Sequence, residues 1–507
     1  MADLEDSESV RRENVFPSGW INPVPQKKYN LVVLGGGTAG LVSAAIAAAL
    51  GAKVALVERE HMGGDCLNTG CVPSKAILRI ARGAGELKRM RDLGMKIPET
   101  AGPADFKEAM KRMRRLRAKI SRHDSAKRFG EMGVDLFFGA GSFLDRERIA
   151  VSGSILRFSK AAICTGAKPV FPDIPGLGPG TALTTDSVFS LPERPESFAV
   201  IGAGPAGVEL AQAFSRFGSR VTLFELADRI LPGEDRKAGE ILHEALNREG
   251  IEIVTGAKID RVEELEEGRR ICFESGREKK EIFVEKILVC AGRRPDTGGL
   301  GLERAGIRYD LKGGIRVDRH LRTSNPRVYA AGDVCFPMQF THAADATAQI
   351  LIQNALFPHP FGIGSARADD LIVPRTVYTD PEIAHVGRMD EAELIRAGMT
   401  ESLFFSLHEV DRAILDGEET GFARIDYLKG SDRIAGATIV APHAGEMIGE
   451  ITLAMRAGAG LRIISQTIHP YPTQAEVIKK AAVLWRKQSL TERKKNLLSK
   501  WFSFSRS

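Results

Sequence analysis

Residues 29–58, YNLVVLGGGTAGLVSAAIAAALGAKVALVE, decide the fold, because the same pattern returns in residues 198–225, FAVIGAGPAGVELAQAFSRFGSRVTLFE. In each stretch an apolar strand enters a G-x-G-x-x-G turn, a helix follows, and a second strand ends in glutamate. One such turn is a weak indication, since ordinary α/β packing also uses glycine-rich turns. Two copies, each with the acid at the expected distance, predict an α/β chain with two dinucleotide-binding sites.

The residues of these two fingerprints have distinct physical roles. Equivalent glycines of the two fingerprints share a role. Gly35 and Gly202 allow the tight turn, Gly37 and Gly204 let a pyrophosphate approach the backbone, and Gly40 and Gly207 let helix and strand pack closely. The terminal acids, Glu58 and Glu225, can accept hydrogen bonds from a ribose 2′-hydroxyl. Because a carboxylate repels a 2′-phosphate, Glu225 favours NADH over NADPH, although Arg229 lies nearby in the sequence.

The composition suits a soluble globular chain of several domains, with 507 residues, 43% of them hydrophobic and 27% charged. Six cysteines in this length do not form a disulfide scaffold. The N-terminus has no apolar signal-peptide core, so we expect residues 1–28 to form a flexible leader and the protein to be cytoplasmic. The uncharged stretch 31–52 is long enough to span a bilayer, but its glycines favour strand, turn and helix.

The net charge of +6 is concentrated in two segments. Residues 107–128 carry ten Lys or Arg against two acids, and residues 483–507 carry seven against one. This distribution argues against a nucleic-acid-binding body. The tail 483–507 also holds Trp, Leu and Phe among its basic residues, which is typical of a helix at a membrane surface or of a dimer-capping tail.

Two cysteines stand close together in residues 63–75, GGDCLNTGCVPSK. Cys71 precedes a helical pattern with an early proline, so we expect it near a helix N-terminus, where the pKa of a thiol falls. A reducing compartment disfavours a structural bridge. No second C-x-x-C, no H-E-x-x-H and no histidine cluster accompanies the pair, which disfavours a metal site. A redox centre made of Cys66 and Cys71 beside a cofactor is left as the best interpretation.

This stretch resembles the redox-active disulfide motif of the flavin-dependent pyridine nucleotide–disulfide oxidoreductases, which include dihydrolipoamide dehydrogenase, glutathione reductase and mercuric reductase. The resemblance covers residues 28–482. Further motifs follow in family order: AAICTGAKPVFPDIPG (161–176), ILVCAGRRPD (287–296), VYAAGDV (328–334), FTHAADATAQI (340–350) and VPRTVYTDPEIAHVG (373–387). The resemblance implies FAD and NAD(P)H as cofactors and a homodimer as the assembly.

The resemblance also implies a domain order: an FAD-binding domain at 29–168 and 289–362, an NAD(P)-binding domain at 169–288, a dimerisation domain at 363–482 and a basic tail at 483–507. The fold class is then α/β, with two Rossmann-like domains and an α+β C-terminal domain. Further flavin contacts would come from the redox motif and the later motifs, with an aspartate on the ribitol: Gly64, Thr165, Gly166, Gly292, Asp333 and Ala343.

In the family, electrons pass from the nicotinamide through FAD to the disulfide. Carried over to this chain, Cys71 would be the flavin-proximal sulfur, and Cys66 the interchange thiol that meets the acceptor. Lys75 would lie near the flavin N5 edge, and Glu209 near the nicotinamide. The acceptor would be a disulfide or a thiolate-bound metal ion, and no resident metal is expected.

The motif TIHPYPTQAEVIKKAA, residues 467–482, departs from that of the lipoamide and glutathione reductases. Those enzymes carry His-x-His-Pro-Thr, in which the second histidine is the acid/base, oriented by a glutamate five residues later. Here Tyr471 takes its place, Glu476 keeps the glutamate, and His469 stands at the first histidine. A tyrosine, with a pKa of about 10, is a poor proton shuttle near neutrality, although His469 could compensate.

Tyrosine at this site is a feature of mercuric reductase, whose soft metal substrate suits two thiolates. The chain has no cysteine after Cys335, however, and so lacks the C-terminal pair that hands over the metal in that enzyme. Because of the tyrosine, we expect mercuric reductase-like chemistry at the catalytic core, without the C-terminal pair that delivers the metal. Dihydrolipoamide dehydrogenase, or an NADH:quinone or oxygen oxidoreductase with a vestigial disulfide, are the alternatives.

Overall fold

The computed structural model describes residues 2–98, 103–276, 278–488 and 490–506. Its α-helices are α1 (Ala2–Val15), α2 (Thr38–Ala49), α3 (Gly64–Asn68), α4 (Cys71–Asp92), α5 (Phe106–Ser121), α6 (Ala126–Glu131), α7 (Thr185–Val188), α8 (Pro205–Arg216), α9 (Arg236–Arg248), α10 (Thr341–Leu356), α11 (Glu391–Arg396), α12 (Asp411–Asp416), α13 (Ala444–Arg456), α14 (Leu461–Gln466), α15 (Glu476–Gln488) and α16 (Glu492–Phe504).

The strands are given in chain order. They are β1 (Tyr29–Leu34), β2 (Val54–Glu58), β3 (Val134–Phe138), β4 (Ser142–Phe143), β5 (Arg148–Val151), β6 (Ser154–Ile163), β7 (Ala167–Pro169), β8 (Ser197–Ile201), β9 (Arg220–Phe224), β10 (Glu252–Val254), β11 (Lys258–Glu264), β12 (Arg269–Ser275), β13 (Glu278–Val284), β14 (Lys286–Val289), β15 (Arg293–Pro295), β16 (Tyr309–Asp310), β17 (Gly314–Ile315), β18 (Val328–Ala330), β19 (Arg375–Val377), β20 (Glu382–Gly387), β21 (Thr400–Ser406), β22 (Phe422–Leu428) and β23 (Ile434–Ala441).

The first fingerprint lies at the centre of a seven-stranded sheet of order β3-β2-β1-β6-β5-β4, in which β18 also pairs with β6. Strand β1 runs parallel to both β2 and β6. Its residues Leu31, Val32 and Val33 are fully buried, as expected for a parallel strand covered on both faces. The uncharged stretch 31–52 is therefore strand, turn and helix, and no helix among the described residues is long and apolar enough to cross a membrane.

The second fingerprint builds a separate parallel sheet of order β10-β9-β8-β14. Strand β8 pairs with β9 and β14, and α8 follows it as α2 follows β1. An antiparallel sheet of β11, β12 and β13 comes next in the chain. Both fingerprints thus have the predicted order of strand, turn, helix and strand.

The chain divides into two units: unit 1 runs to Leu231 and resumes from Leu246 to Leu371, and unit 2 holds Pro232–Ala245 and the chain from Ile372 onward. Unit 2 contains the antiparallel sheet β19-β20-β23-β22-β21. Helices α13 and α15 bury apolar residues at helical spacing in its core, including Ile448, Ile451, Val477, Ile478 and Ala481. The predicted fold class is confirmed. The division does not separate residues 169–288, so the boundaries of a nicotinamide domain stay a prediction.

The expectation of a flexible leader over residues 1–28 is wrong for its described part. Helix α1 ends at the fully buried Val15, and the Phe16 ring lies 4.8 Å from that of Phe138. The side chain of Asn22 then binds the edge strand β3, donating to Phe138 O (2.9 Å) and accepting from Phe138 N (2.8 Å). This segment protects an otherwise unpaired strand edge, which the polar composition of the leader does not reveal.

Candidate active site

The two neighbouring cysteines belong to two consecutive helices. Cys66 lies in the short helix α3, and Cys71 is the first residue of α4. Both thiols are free. The interaction with the neighbouring Cys66 thiol lowers the pKa of Cys71 to about 6, although burial opposes this, and the same interaction raises the pKa of Cys66. The geometry therefore makes Cys71 the thiolate of the pair and Cys66 the thiol that keeps its proton.

A threonine from a distant part of the chain completes the surroundings of Cys71. The hydroxyl oxygen of Thr341, the first residue of α10, lies 3.2 Å from Cys71 Sγ and lowers the pKa of that thiol further. The charge of Lys75, one turn along α4, acts in the same direction. Thr341 was missed by the sequence analysis, although it belongs to the quoted motif FTHAADATAQI.

We predict that the reactivity of Cys71 follows the titration of this thiolate. In the reduced protein, its alkylation by iodoacetamide should slow as the pH falls below about 6, because the reactive thiolate becomes protonated. Thr341→Val should move the midpoint to higher pH, since the thiolate loses a hydrogen-bond donor, whereas Thr341→Ser should keep it. The measurement is the alkylation rate of Cys71 against pH by mass spectrometry. Identical profiles for Thr341→Val and the wild type would contradict the assignment.

Lys75 and Glu209, both named from the sequence, form an ion pair. Lys75 Nζ lies 2.8 Å from Glu209 Oε2, and the Glu209 side chain is only 6% exposed. Helix α4 supplies the lysine and α8, which follows the second fingerprint, supplies the acid. The pair therefore joins the helix that begins with Cys71 to the second dinucleotide unit.

The first glycine turn has the shape that a bound dinucleotide requires. Gly35 has φ +103°, and a Cβ there would lie 2.4 Å from Cys164 O. A Cβ on Gly64, at the start of the redox segment, would lie 2.7 Å from Gly37 Cα. The N-terminus of α2 has no side-chain cap, so its first N–H groups are available to a pyrophosphate.

The two terminal acids are held in the same way. Glu58 accepts backbone N–H bonds from Gly36 (2.5 Å) and Glu60 (2.7 Å). Glu225 accepts them from the equivalent positions of the second unit, at 2.8 and 2.9 Å. Burial is the first cause of the raised pKa of Glu58. Two backbone anchors fix each carboxylate at the end of its strand, where the fingerprint places a ribose.

The remaining predicted flavin contacts lie in the turns around β7, β15 and β18 and in helix α10. Burial raises the pKa of Asp333 to about 6, and hydroxyl hydrogen bonds from a ligand would offset that effect by stabilising the carboxylate. Thr165 and Gly166 are bound to Asp296, through Thr165 Oγ1 to Asp296 O (2.7 Å) and Asp296 N to Gly166 O (2.9 Å). The other two residues lie in a turn with positive φ and inside α10: Gly292 and Ala343.

These residues fit FAD. The α2 N-terminus would hold its pyrophosphate, Glu58 the adenosine ribose and Asp333 the ribitol. FAD, when bound, supplies two-electron transfer between a nicotinamide and a dithiol. Arg293, which the sequence analysis did not single out, pairs with Asp65 of α3 and donates to Ala167 O (2.5 Å).

In the C-terminal motif, residues 467–482 of unit 2, Tyr471 and His469 are both hydrogen-bonded to acidic residues. Tyr471 OH donates to Asp411 Oδ2 (2.9 Å), while Glu476 Oε2 is buried without a hydrogen-bond partner. His469 Nε2 lies 3.0 Å from Glu450, and its side chain is 7% exposed. A compensating role for His469 is thus disfavoured, because its ring is already bound within unit 2.

No group of three or more His, Cys, Asp or Glu side chains in the described part of the chain could hold a metal ion.

Known proteins share this organisation. Residues 29–349 match the pyridine nucleotide-disulphide oxidoreductase family, and residues 373–482 match the dimerisation domain of that family. A mercuric reductase of Staphylococcus aureus is 33% identical over 90% of this chain and 83% of its own length. A dihydrolipoyl dehydrogenase of Thermus scotoductus is 36% identical over 92% of this chain and 99% of its own.

The chain is also similar to a solved structure of a flavoprotein disulfide reductase. The HOCl-induced flavoprotein disulfide reductase RclA from Escherichia coli matches with a TM-score of 0.78 and 27% identity, covering 90% of this chain and 100% of that chain. The dimerisation domain supports a homodimer. Together with the two fingerprints and the cradle for FAD, these matches show that the chain is an FAD- and NAD(P)H-dependent oxidoreductase and belongs to the pyridine nucleotide-disulphide oxidoreductase family.

Proposed function

We propose that the protein uses NAD(P)H to reduce a thiophilic metal ion held by Cys66 and Cys71. The observation that carries the proposal is the tyrosine at the acid/base position. The hydrogen bond to Asp411 raises the pKa of Tyr471, so the phenol keeps its proton at neutral pH. It can donate a hydrogen bond, but it cannot take up a proton from a dithiol.

The choice of acceptor follows from the number of protons that each class of acceptor needs. Reduction of a substrate disulfide needs a proton for each thiol that is released, and the family places a histidine where that proton is handled. A metal ion needs electrons only: Hg(II) takes two and becomes Hg(0), or two Cu(II) ions take one each and become Cu(I). One hydride from NAD(P)H supplies the electron pair. Two sulfurs suit such soft ions as ligands.

The relatives support this choice of acceptor class. The Staphylococcus aureus relative is named a mercuric reductase, and RclA, the structural match, is also described in complex with Cu(II). The thiol pair of this chain has the charge distribution that metal capture requires, because Cys71 is a thiolate near neutral pH. Cys66 would release its proton when the ion binds.

The test is NADH oxidation by the purified FAD-loaded protein with a panel of acceptors. We expect turnover with Hg(II), supplied as its complex with a small thiol, or with Cu(II). Oxidised lipoamide and glutathione disulfide should turn over about 10²-fold more slowly, which is the usual contribution of a missing acid/base. Equal or faster turnover of either disulfide would contradict the proposal, and brisk quinone turnover alone would favour a vestigial thiol pair.

Two further features of the function are proposed with it. Glu225, anchored at the second ribose position, should favour NADH, and a lower KM for NADPH than for NADH would contradict this. The cytoplasmic location inferred from the N-terminus stays a prediction, which cell fractionation tests.

We also propose that the C-terminal helix contacts an anionic membrane surface. Leu497, Trp501 and Phe504 fall on one face of α16 and are 64–76% exposed, and Lys494 and Lys500 flank that face. Apolar side chains bordered by lysines match the charge and depth of an anionic lipid interface. Cosedimentation with anionic but not neutral vesicles is expected, and no binding to either would contradict it.

A further inference from the structure

The N-terminal strap, defined as residues 6–28, lies against the helix that carries Cys66. The strap precedes the residues 29–349 that match the family. The backbone of Met62 donates to Val15 O (3.1 Å), which ties the end of α1 to the loop before α3. The strap therefore lies outside the residues that match the family and contacts the redox segment.

A buried arginine connects the strap to α3. Arg117, on α5, is only 7% exposed and pairs through Nη2 with Glu8 of α1. Its Nη1 donates to the backbone oxygen of Asn68 (2.7 Å), the last residue of α3. A buried guanidinium is stable only when it is paired, so Glu8 holds Arg117 in the position from which it binds the helix end.

A second arginine binds the same residue. Arg11 donates from Nε to Glu8 Oε2 (3.2 Å) and from Nη1 to Asn68 Oδ1 (2.6 Å). The amide of Asn68 in turn donates to Gly64 O (2.9 Å) and Met62 O (3.1 Å). Asn68 is thus held at both its main chain and its side chain by two arginines that share one glutamate.

Asn68 stands between the two cysteines, two residues after Cys66 and three before Cys71. Helix α3 has five residues, which is too short to be stable by itself in water. A disulfide forms only when the two sulfurs meet in a narrow range of distances and angles. The clamp on Asn68 therefore restricts how far Cys66 can move from Cys71.

We propose that Glu8, Arg11 and Arg117 are positioning residues, which hold Cys66 within reach of Cys71 and so set the equilibrium between dithiol and disulfide. The proposal rests on the proposed role of this pair. When the pair is oxidised by a reagent disulfide, two electrons pass to the reagent, which leaves as a dithiol. Cys66 gives up its proton to the reagent, water supplies the second proton because Cys71 is already a thiolate, and an S–S bond joins the two sulfurs. A looser α3 lowers the effective concentration of Cys66 at Cys71, so the disulfide becomes easier to reduce.

The test compares Glu8→Ala with a matched control on the same helix, Glu13→Ala. Glu13 accepts hydrogen bonds from Ser18 N and Ser18 Oγ, and within the described part of the chain it makes no hydrogen bond to Asn68. Alanine suits a helix interior, so α1 should be preserved in both variants. Each full-length protein is equilibrated in mixtures of reduced and oxidised dithiothreitol, quenched by alkylation and analysed by mass spectrometry for Cys66 and Cys71.

For Glu8→Ala and for Arg117→Lys we expect the equilibrium constant for disulfide formation to fall about tenfold, or about 30 mV for a two-electron couple. The equilibrium constant of Glu13→Ala should match that of the wild type. In the double variant Glu8→Ala/Arg117→Lys the constant should fall no further than in either single variant, because both changes break the same contact. Wild-type values in Glu8→Ala and Arg117→Lys, including a case where only the melting temperature falls, would overturn the inference. If the wild type itself forms no Cys66–Cys71 disulfide, the proposed role of the pair fails instead.

Discussion

Cys66→Ser is expected to abolish metal-ion turnover, with a loss on the order of 10³-fold or more, while FAD stays bound. A serine hydroxyl does not ionise near neutral pH and is a poor ligand for a soft metal ion, so only one of the two sulfurs would remain. The residues proposed to hold FAD are not altered by the substitution, so the flavin spectrum should persist. The measurements are acceptor-dependent NADH oxidation and the FAD content of the purified variant.

Cys71→Ser should be equally inactive, because it removes the thiolate of the pair. The matched control is Cys272→Ser, at a buried cysteine of strand β12 in the antiparallel sheet, which should keep wild-type turnover. Full activity in both Cys66→Ser and Cys71→Ser would contradict the proposed function. It would direct attention to acceptors that do not need the pair, such as quinones or oxygen.

The parts of the fold that the sequence predicts are those encoded by short-range spacing. Gly35, Gly40 and Glu58 fall within one strand–helix–strand unit, so their spacing alone indicates a dinucleotide turn. The same spacing recurs in the second unit, and the structure has both. Cys71 at the start of a helix is likewise a local property, predicted from the following proline.

The contacts that the sequence does not reveal join residues far apart in the chain. Thr341 lies 270 positions from Cys71, and Lys75 lies 134 positions from Glu209. Family motifs name Lys75 and Glu209 one by one, but no spacing rule states that they pair. These contacts depend on how the sheets and helices pack, which the periodicity of one segment does not contain.

The N-terminal strap shows that amino-acid composition also fails to predict specific contacts. Its charged residues suggested disorder, since a polar segment has little apolar surface to bury. A few side chains are enough to fix the strap, however, because each has a specific partner. Val15 is buried in the core, Asn22 binds the edge strand, and Glu8 pairs with two arginines. Composition measures the average of a segment and misses such pairings.

Tyr471→His is expected to raise the turnover of oxidised lipoamide by about 10²-fold, the usual contribution of a positioned acid/base. An imidazole titrates near pH 6.5 and can carry protons that the phenol, with its raised pKa, retains. The chain still holds the partner that such a histidine needs, because Glu476 Oε2 is buried and has no hydrogen-bond partner. The measurement is NADH:lipoamide turnover against pH.

The control is Tyr471→Phe, which loses the hydrogen bond to Asp411 without gaining an acid/base, and which should show no gain with lipoamide. The gain in Tyr471→His should disappear in Tyr471→His/Glu476→Gln, because a neutral amide stabilises the imidazolium less than a carboxylate does. Metal-ion turnover should change little in Tyr471→His, since electron transfer to the ion requires no proton. If Tyr471→His and Tyr471→Phe turn over lipoamide equally slowly, the residue at this position does not decide between disulfide and metal acceptors, and the selectivity must come from elsewhere in the chain.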